Sequence, residues 1–266
     1  MEWLLMSGRL LQCCFLAGAV CAALGAEAKA VVPGDEAFRV DNAVYAGRDK
    51  EPAVRTTTIF LNGVVYDFME QPQEAIVLEA ELGRFTLLSM HRRIRAELSV
   101  DDVLALTRSV RQRAAMHENP FVQFLAEPEF DERFDLAAGT LTLDSPWITY
   151  RVETTNPGDA AIVQGYRKFA DLYCQVNMVL SPGQSPPFAR MHLNAALAAS
   201  GVIPATIHLT LRPKRSFPPT RTTLRSEHEL IRSVGQPDLD RVAQAREFMN
   251  IFQLVGIEEY RRDDLR

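Results

Sequence analysis

Residues 56–69 read TTTIFLNGVVYDFM and decide the fold of the N-terminal part of the chain. Two runs rich in β-branched and aromatic residues, Thr56–Leu61 and Val64–Met69, flank the dipeptide Asn62-Gly63. Asn-Gly readily adopts the positive φ angles of a type I′ turn, whose twist matches that of paired strands. The stretch therefore predicts a β-hairpin with a two-residue turn.

The turn also predicts which residues of the hairpin face each other. With two residues in the turn, three cross-strand pairs share one apolar face. These pairs are Leu61 with Val64, Ile59 with Tyr66, and Thr57 with Phe68. The other face mixes polar and apolar side chains, so we expect it to be partly buried. Its residues include Thr58, Phe60, Val65 and Asp67.

The strand pattern continues beyond the hairpin. Ala75–Glu79 and Arg84–Leu88 form a second predicted antiparallel pair around Gly83, and Arg92–Leu98 alternates apolar with charged residues. Alternation with a period of two is typical of a strand that is buried on one side. These runs predict a meander of about five antiparallel strands.

Helical spacing and caps dominate the rest of the chain. Ser99 and the acidic pair that follows it predict the start of a helix ending at Asn119-Pro120. Apolar spacing predicts three further helices, over 159–179, 188–200 and 238–252. Predicted strands lie between them, at 140–143, 148–152, 202–212 and 220–226.

The fold class that these elements predict is α+β. An antiparallel N-terminal β-meander packs against amphipathic helices, and the C-terminal half is helix-rich. The predicted organisation is a signal peptide over 1–26, an extended lead-in over 27–55 and a single α+β domain over 56–266.

The N-terminus predicts export. Arg9 precedes the apolar stretch Leu10–Leu24, and small residues follow, so cleavage after Ala26 or Ala28 fits the signal-peptidase pattern. An uncleaved anchor and a cytoplasmic start are the alternatives, and lipidation fits less well because Val20 precedes Cys21. We expect a periplasmic or secreted protein with no spanning segment in its mature chain.

Composition argues against a general nucleic-acid binder and against a disordered chain. The formal charge of −5 argues against a general nucleic-acid binder, and 47% apolar residues are typical of a folded globular chain. Three of the four cysteines lie in the leader, which leaves Cys174 in an apolar helical stripe. We expect Cys174 to be a core residue and the mature chain to fold without an intramolecular disulfide.

No familiar catalytic signature is present in the sequence. It lacks the nucleophile elbow, the phosphate-binding loops, the zinc motifs and the calcium loop, so we assign no catalytic residue, metal ion or cofactor. Ser226-Glu227-His228-Glu229 is the densest titratable cluster. Metal ligation by His228 is one interpretation, but neighbouring residues face different directions in a strand or a helix. We therefore interpret this segment as a solvated charged one.

Basic residues are concentrated in two stretches, 84–113 and 212–225, and acidic residues in 118–144. Arginine forks bind phosphate and carboxylate groups, so one interpretation is an anion-binding or headgroup-binding surface. The alternative is that these charges face each other or water. The ligand-binding candidates that this pattern and the aromatic residues indicate are Arg93, Arg95, Tyr66 and Trp147.

The stretch Thr56–Ser89 (TTTIFLNGVVYDFMEQPQEAIVLEAELGRFTLLS) resembles the exported half-barrel carriers of lipoproteins and related periplasmic sensors. In those families a short hairpin of this kind recurs in a curved antiparallel sheet. The resemblance covers the N-terminal strands and carries over no functional residue. It implies a concave apolar sheet face that holds an acyl chain or a partner peptide.

Three hypotheses for the function follow. The first is a non-enzymatic envelope protein that binds lipid or a protein partner on its antiparallel sheet. The second is a hydrolase, with a site around Asp67, His208 or the segment 226–229. The third is a structural or assembly component of the envelope. We favour the first, because a one-sided apolar hairpin lies beside arginine-rich strands.

Overall fold

The computed structural model describes residues 37–183, 185–212 and 222–262. The predicted leader and the rest of the chain up to residue 36 lie outside this range. The described residues form twelve strands: β1 (Phe38–Ala46), β2 (Val54–Leu61), β3 (Val64–Met69), β4 (Glu74–Glu79), β5 (Arg84–Ser89), β6 (Ile94–Ser99), β7 (Asp131–Asp135), β8 (Thr140–Asp144), β9 (Ile148–Thr155), β10 (Ile203–Leu211), β11 (Thr222–Ile231) and β12 (Gln253–Leu254).

Six helices accompany these strands in the described part of the chain. They are α1 (Val100–Ala115), α2 (Pro120–Ala126), α3 (Ala160–Leu180), α4 (Phe188–Ala199), α5 (Gln236–Ile251) and α6 (Ile257–Arg261). Of the described residues, 36% are helical and 37% lie in strands, which confirms the α+β class. Among the described helices, none combines the length and the apolar character that crossing a bilayer requires.

All twelve strands belong to one sheet, in the order β12-β6-β5-β4-β3-β2-β1-β11-β10-β9-β8-β7. Neighbouring strands are antiparallel except for β12, which pairs with β6 in parallel. The first six strands form a meander, and β1 joins it to β11. The C-terminal half contributes strands β8–β11 to this sheet as well as helices.

The predicted hairpin is confirmed in its strands, its turn and its register. Leu61 pairs with Val64 and Ile59 with Tyr66. Asn62 and Gly63 have φ angles of 52° and 74°, which are the positive values that a type I′ turn requires.

Among the described residues, the first regular element is β1 rather than the hairpin, so described strand structure already lies inside the predicted lead-in. The sequence of β1 includes Asp41 and Asn42, whose residue types are depleted in strands. Pairing on both sides, with β2 and β11, stabilises the strand despite this weak local preference.

Other predicted boundaries need correction. The helix predicted from Asp238 begins at Gln236, and Gly235 is its N-cap. Asp238 occupies the first turn instead, where its carboxylate accepts the Gly235 N–H at 3.1 Å. The sequence predictions also missed α2, β7, β12 and α6, which are short and lack a clear period.

Helices cover the two faces of the sheet unequally. On one face, called here the α3 face, α3 packs over β1–β6 while α4 and α2 pack over β8–β11. On the opposite face, called the α5 face, α5 packs over strands β2–β5. Each face of the meander therefore has an apolar layer beneath a helix.

Helix α3 makes the largest contribution to the core of the meander. Asp159 caps its first turn by accepting the Ala161 N–H at 2.8 Å. Its buried side chains meet the sheet through aromatic contacts. Phe169 packs edge-on against Phe60 with 5.7 Å between ring centres, and Phe60 stacks on Phe38 at 4.1 Å.

We expect Phe169→Ala to lower the free energy of unfolding by about 3–5 kcal/mol, because Phe169 is 1% exposed and its loss leaves a cavity at this contact. Urea unfolding followed by circular dichroism measures the change. Leu136→Ala is the control, since Leu136 is 84% exposed, and it should change stability by less than about 0.5 kcal/mol. Equal losses in the two variants would contradict this account of the core.

Candidate functional site

A buried polar network lies beneath α3, on strands β1, β2 and β3. Thr58 donates its hydroxyl to Asp67 Oδ1 at 2.7 Å. The amide of Asn42 donates to the hydroxyl oxygens of Thr56 and Thr58 at 2.9 and 3.1 Å. Thr56 and Tyr173 also hydrogen-bond the carboxylate of Asp67. The cross-strand register, which pairs Asn42 with Thr56 and Thr58 with Asp67, places these groups together.

The carboxyl group of Asp67 is the acidic member of this network. Its side chain is 2% exposed, and burial raises its pKa from 3.8 to about 6. The hydrogen bonds from Thr58, Tyr173 and Thr56, and the charge of Arg241, oppose this rise. Desolvation is the largest effect, because moving a carboxylate out of water costs more free energy than hydrogen bonds from a few hydroxyl groups recover.

A small cavity lies beside Asp67. Its volume of about 10 Å³ is enough for about one water molecule. Typical small-molecule sites measure ~300–1,000 Å³, so this cavity does not match an acyl chain or a substrate. Its lining combines two carboxyl-bearing residues with tyrosine and aliphatic side chains: Asp67, Met69, Glu74, Ala75, Ile76, Leu87, Tyr173, Leu180 and Tyr260.

A second buried network includes two residues of the predicted charged segment. The hydroxyl of Tyr166 lies 3.2 Å from His228 Nδ1, and Ser226 Oγ lies 3.4 Å from His228 Nε2. Burial lowers the pKa of His228 well below 6.5, with a smaller contribution from the positive charge of Arg190. Burial also raises the pKa of Tyr166 to about 12. A neutral imidazole therefore lies in the core of the protein.

The interpretation of Ser226–Glu229 as a solvated segment is corrected by this burial. Ser226 is 0% exposed and His228 is 8% exposed, because strand alternation turns both toward α3. Glu227 and Glu229 point to the opposite face, where they are half-buried. A serine–histidine pair can activate a nucleophile. Here the pair lies in the core, and the second nitrogen of His228 faces a tyrosine instead of a carboxylate.

Two of the three positions considered for a hydrolase lie in adjoining buried networks, since Asn42 of the first network is the cross-strand partner of His228 in the second. Asp67 belongs to the first network and the Ser226–His228 pair to the second. His208 is exposed on the opposite face of the sheet, where it pairs across strands with Arg151. The structure therefore does not bring these groups into one cleft.

The four predicted ligand-binding residues do not form one site, because only Arg93 and Arg95 are neighbours. Tyr66 is 2% exposed beneath α5 and accepts a hydrogen bond from Arg246 Nε at 2.8 Å. Arg95 forms an ion pair with Glu97, and Arg93 is exposed in the turn before β6. Trp147 lies between β8 and β9. Eight strand spacings separate β6 from β9, which corresponds to roughly 38 Å along the sheet.

The basic stretches do not form one anion-binding surface among the described residues. Arg84 pairs with Glu79, and Arg111 lies over the ring of Phe188 at 4.2 Å. Arg225 stacks 3.8 Å from the ring centre of Tyr45. Much of the second stretch, residues 213–221, lies outside the described range. The described arginines serve mainly local ion pairs and ring contacts.

One half of the α5 face carries no described helix, and this surface is called here the open face. Strands β8–β11 bury their apolar side chains against α4, so their alternate residues point away from the helices. These outward residues are polar or charged and mostly exposed or half-buried: Thr142, Asp144, Thr149, Arg151, Glu153, Thr206, His208, Arg225, Glu227 and Glu229.

Strand β7 borders the open face at one end of the sheet. Its residues Asp131, Arg133 and Asp135 belong to the open side, while Glu132 and Phe134 point to the α3 face. On the α3 face it lies beside a group of rings called here the edge cluster. The cluster joins half-buried and buried aromatic residues with one histidine: Phe121, Phe124, Phe130, Phe134, Trp147 and His192.

Local sequence signals for this region are weak. Residues 121–125 are apolar but too short to assign, and DERFD in β7 carries four charges among five residues. Strand preference alone does not identify such a segment.

Among the described residues, no group of His, Cys, Asp and Glu side chains is placed to hold a metal ion.

Comparison with known proteins gives no match to any family model and no match to any curated protein sequence.

We expect Asp67→Asn to change how stability depends on pH. The folded chain binds the Asp67 proton up to about pH 6, whereas the unfolded chain releases it near pH 3.8. Between these values the free energy of unfolding falls as pH rises, by at most about 3 kcal/mol. The amide has no proton to release, so the variant loses this fall, and its stability relative to the parent rises between pH 4 and pH 7.

Urea unfolding from pH 4 to 7 measures both proteins, with Asp49→Asn as an exposed control. His228 contributes with the opposite sign. Its lowered pKa means that the unfolded chain binds more protons below pH 6.5, so this contribution is lost as pH falls. Because both proteins contain His228, its effect cancels in their difference. A difference that stays constant with pH would contradict the raised pKa of Asp67.

Proposed function

We propose that this protein is a non-enzymatic binding protein whose ligand is part of another protein, held on the open face of the sheet. The observation that carries the proposal is the unequal cover of the two faces. Helices α4 and α2 cover β8–β11 on one side, whereas the other side carries exposed polar and charged residues with no described helix above them.

The character of the open face supports a protein ligand. Arginine, histidine, glutamate and threonine side chains are interspersed on this face of β8–β11. Positive and negative charges, and hydrogen-bond donors and acceptors, therefore lie close together. Polar surfaces of this kind favour specific recognition over tight hydrophobic burial. Arg151 and His208 are exposed cross-strand neighbours near the centre of this surface.

The filled interior favours a protein ligand over a lipid. The apolar face that the hairpin predicted is buried beneath α5, and the opposite face of the same strands is buried beneath α3. The cavity beside Asp67 has a volume of about 10 Å³, far below that of a typical lipid or small-molecule site. An acyl chain would therefore need one of these helices to move away.

We propose no catalytic activity because the candidate reactive groups, Ser226 and Asp67, are buried. Ser226 is 0% exposed and Asp67 is 2% exposed, so neither group meets solvent in the structure. A reacting group must reach its substrate within hydrogen-bond distance, and α3 lies over both networks.

The proposal places the protein in the cell envelope. The support is the apolar stretch Leu10–Leu24 with small residues after it, which lies outside the described residues. A single cysteine, Cys174, follows the leader and is buried at 5% exposure. Among the described residues, no thiol is therefore exposed to oxidation in such a compartment.

The open face can be tested by photo-crosslinking in the living host. A benzophenone amino acid placed at His208 or Arg151 should form a covalent adduct with the same partner protein, because both side chains are exposed on this surface. Glu81, an exposed residue in the turn between β4 and β5, is the control position. Mass spectrometry of the adducts identifies the partner. Absence of adducts at both positions, or the same adducts at all three, would count against the proposal.

Export is tested separately by fractionation and N-terminal sequencing of a protein tagged at its C-terminus. We expect the mature chain in the envelope or medium, starting at Glu27 or Lys29, since cleavage fits after Ala26 or Ala28. Replacing Leu16 with Arg in the apolar stretch should retain the chain in the cytoplasm. Cytoplasmic protein that still begins with Met1 would refute the envelope location.

A further inference from the structure

The two edges of the sheet are protected differently. At one edge β12 pairs with β6, where the Gln253 N–H donates to the carbonyl of Arg93 at 3.2 Å and the Val255 N–H to that of Arg95 at 2.9 Å. At the other edge, β7 pairs with β8 on one side and with no described strand on the other. An edge strand presents backbone donors and acceptors that can pair with an added chain.

The side chains around β7 define the chemistry of an added strand. Between residues 127 and 135 the chain has five acidic residues and one basic residue, Arg133, which already forms an ion pair with Asp131. Acidic side chains are exposed along and just before the strand: Glu127, Glu129, Asp131, Glu132 and Asp135. The edge is therefore complementary to lysine or arginine.

The edge cluster adds an apolar component on one side of β7. Phe130 packs against the ring of His192 at 5.2 Å between centres, and Phe124 lies 4.8 Å from Trp147. Phe130 and Trp147 are half-buried, so part of their ring surface remains accessible. Successive side chains of a strand point to opposite faces. An added strand would place every second side chain beside these rings and the others beside Asp131 and Asp135.

A second copy of this chain would set one net-acidic strand against another, and the register centred on Arg133 is the least favourable. In an antiparallel pair of β7 strands centred on Arg133, this arginine would face its equivalent, and Asp131 would face Asp135 of the second copy. Like charges directly opposite each other destabilise a strand pair. Charged edges also protect a sheet from self-association, whereas a basic strand would gain from the same charges.

We propose that β7 is a docking strand, to which a partner protein adds an extended segment of alternating basic and apolar residues. This proposal rests on the proposed function, since it names the chemistry of the partner and the way in which it joins the sheet. The added strand would continue the open face, with its basic residues over Asp131 and Asp135 and its apolar residues over the edge cluster.

The test begins with a phage-displayed library of random 10-residue peptides, selected on the full chain. We expect enrichment of sequences in which lysine or arginine alternates with apolar residues. The best peptide is then synthesised, and its affinity is measured by calorimetry. The triple variant Glu129→Lys, Asp131→Lys, Asp135→Lys should weaken binding at least tenfold, because it reverses the charge of the edge.

The matched control is the triple variant Glu51→Lys, Glu70→Lys, Glu81→Lys, which makes the same change in net charge at exposed turns. It should alter the affinity by less than twofold. An equal loss in both variants would indicate general charge attraction and would overturn the docking strand. Selection of peptides without the alternating pattern would do the same.

Peptides with N-methyl groups test the backbone pairing without any change to the protein. Methylation of the alternate amides that face β7 removes their donors and should abolish binding, whereas methylation of the other set should be tolerated. Equal affinity for both peptides would overturn strand addition. If His208 and Arg151 still crosslink to a partner in that case, the proposed function stands and the β7 proposal alone fails.

Discussion

The pairing of β1 with two strands from distant parts of the chain is the constraint on which the rest of the structure depends. On one side β1 continues the N-terminal meander through β2, and on the other it pairs with β11. Arg39 on β1 also reaches Asp238 at the start of α5, 199 positions away, with 2.9 Å between the charged atoms. One strand thus fixes the C-terminal strands and α5 relative to the meander.

The polar groups in the core follow from this arrangement and carry an energetic cost. Asn42 on β1 meets Thr58 on β2, which in turn donates to Asp67 on β3. Hydrogen bonds satisfy much of this network, yet the raised pKa of Asp67 shows that desolvation still outweighs them. His228 on β11 is neutral for the same reason. Networks of this kind restrict how strands and helices can pack, because each polar group needs its own partners.

Because helices cover the sheet unequally, the meander supplies the core, and the other end of the sheet has a face that remains available for binding. Helices α3 and α5 enclose the meander on both faces, so its apolar residues serve the core. The opposite end of the sheet has helices on one face, and its other face meets solvent through charged and polar side chains. A rigid sheet that is buried on one side presents a fixed surface, which suits the binding of a protein segment.

Local sequence determined the elements whose conformational energy is local. Asn62-Gly63 specified the turn and register of the first hairpin, and Asp159 with its apolar spacing specified α3. The sequence did not specify β1 or the charged strand β7, because their stability comes from partners far along the chain. Local sequence patterns also do not reveal the order of strands in a sheet. The sequence analysis therefore named Arg95 and Trp147 as candidates for one site, although many strands lie between them. Only the tertiary structure determined which face of each strand is buried beneath helices. This burial places Ser226 and His228 in the core and leaves the open face exposed to solvent.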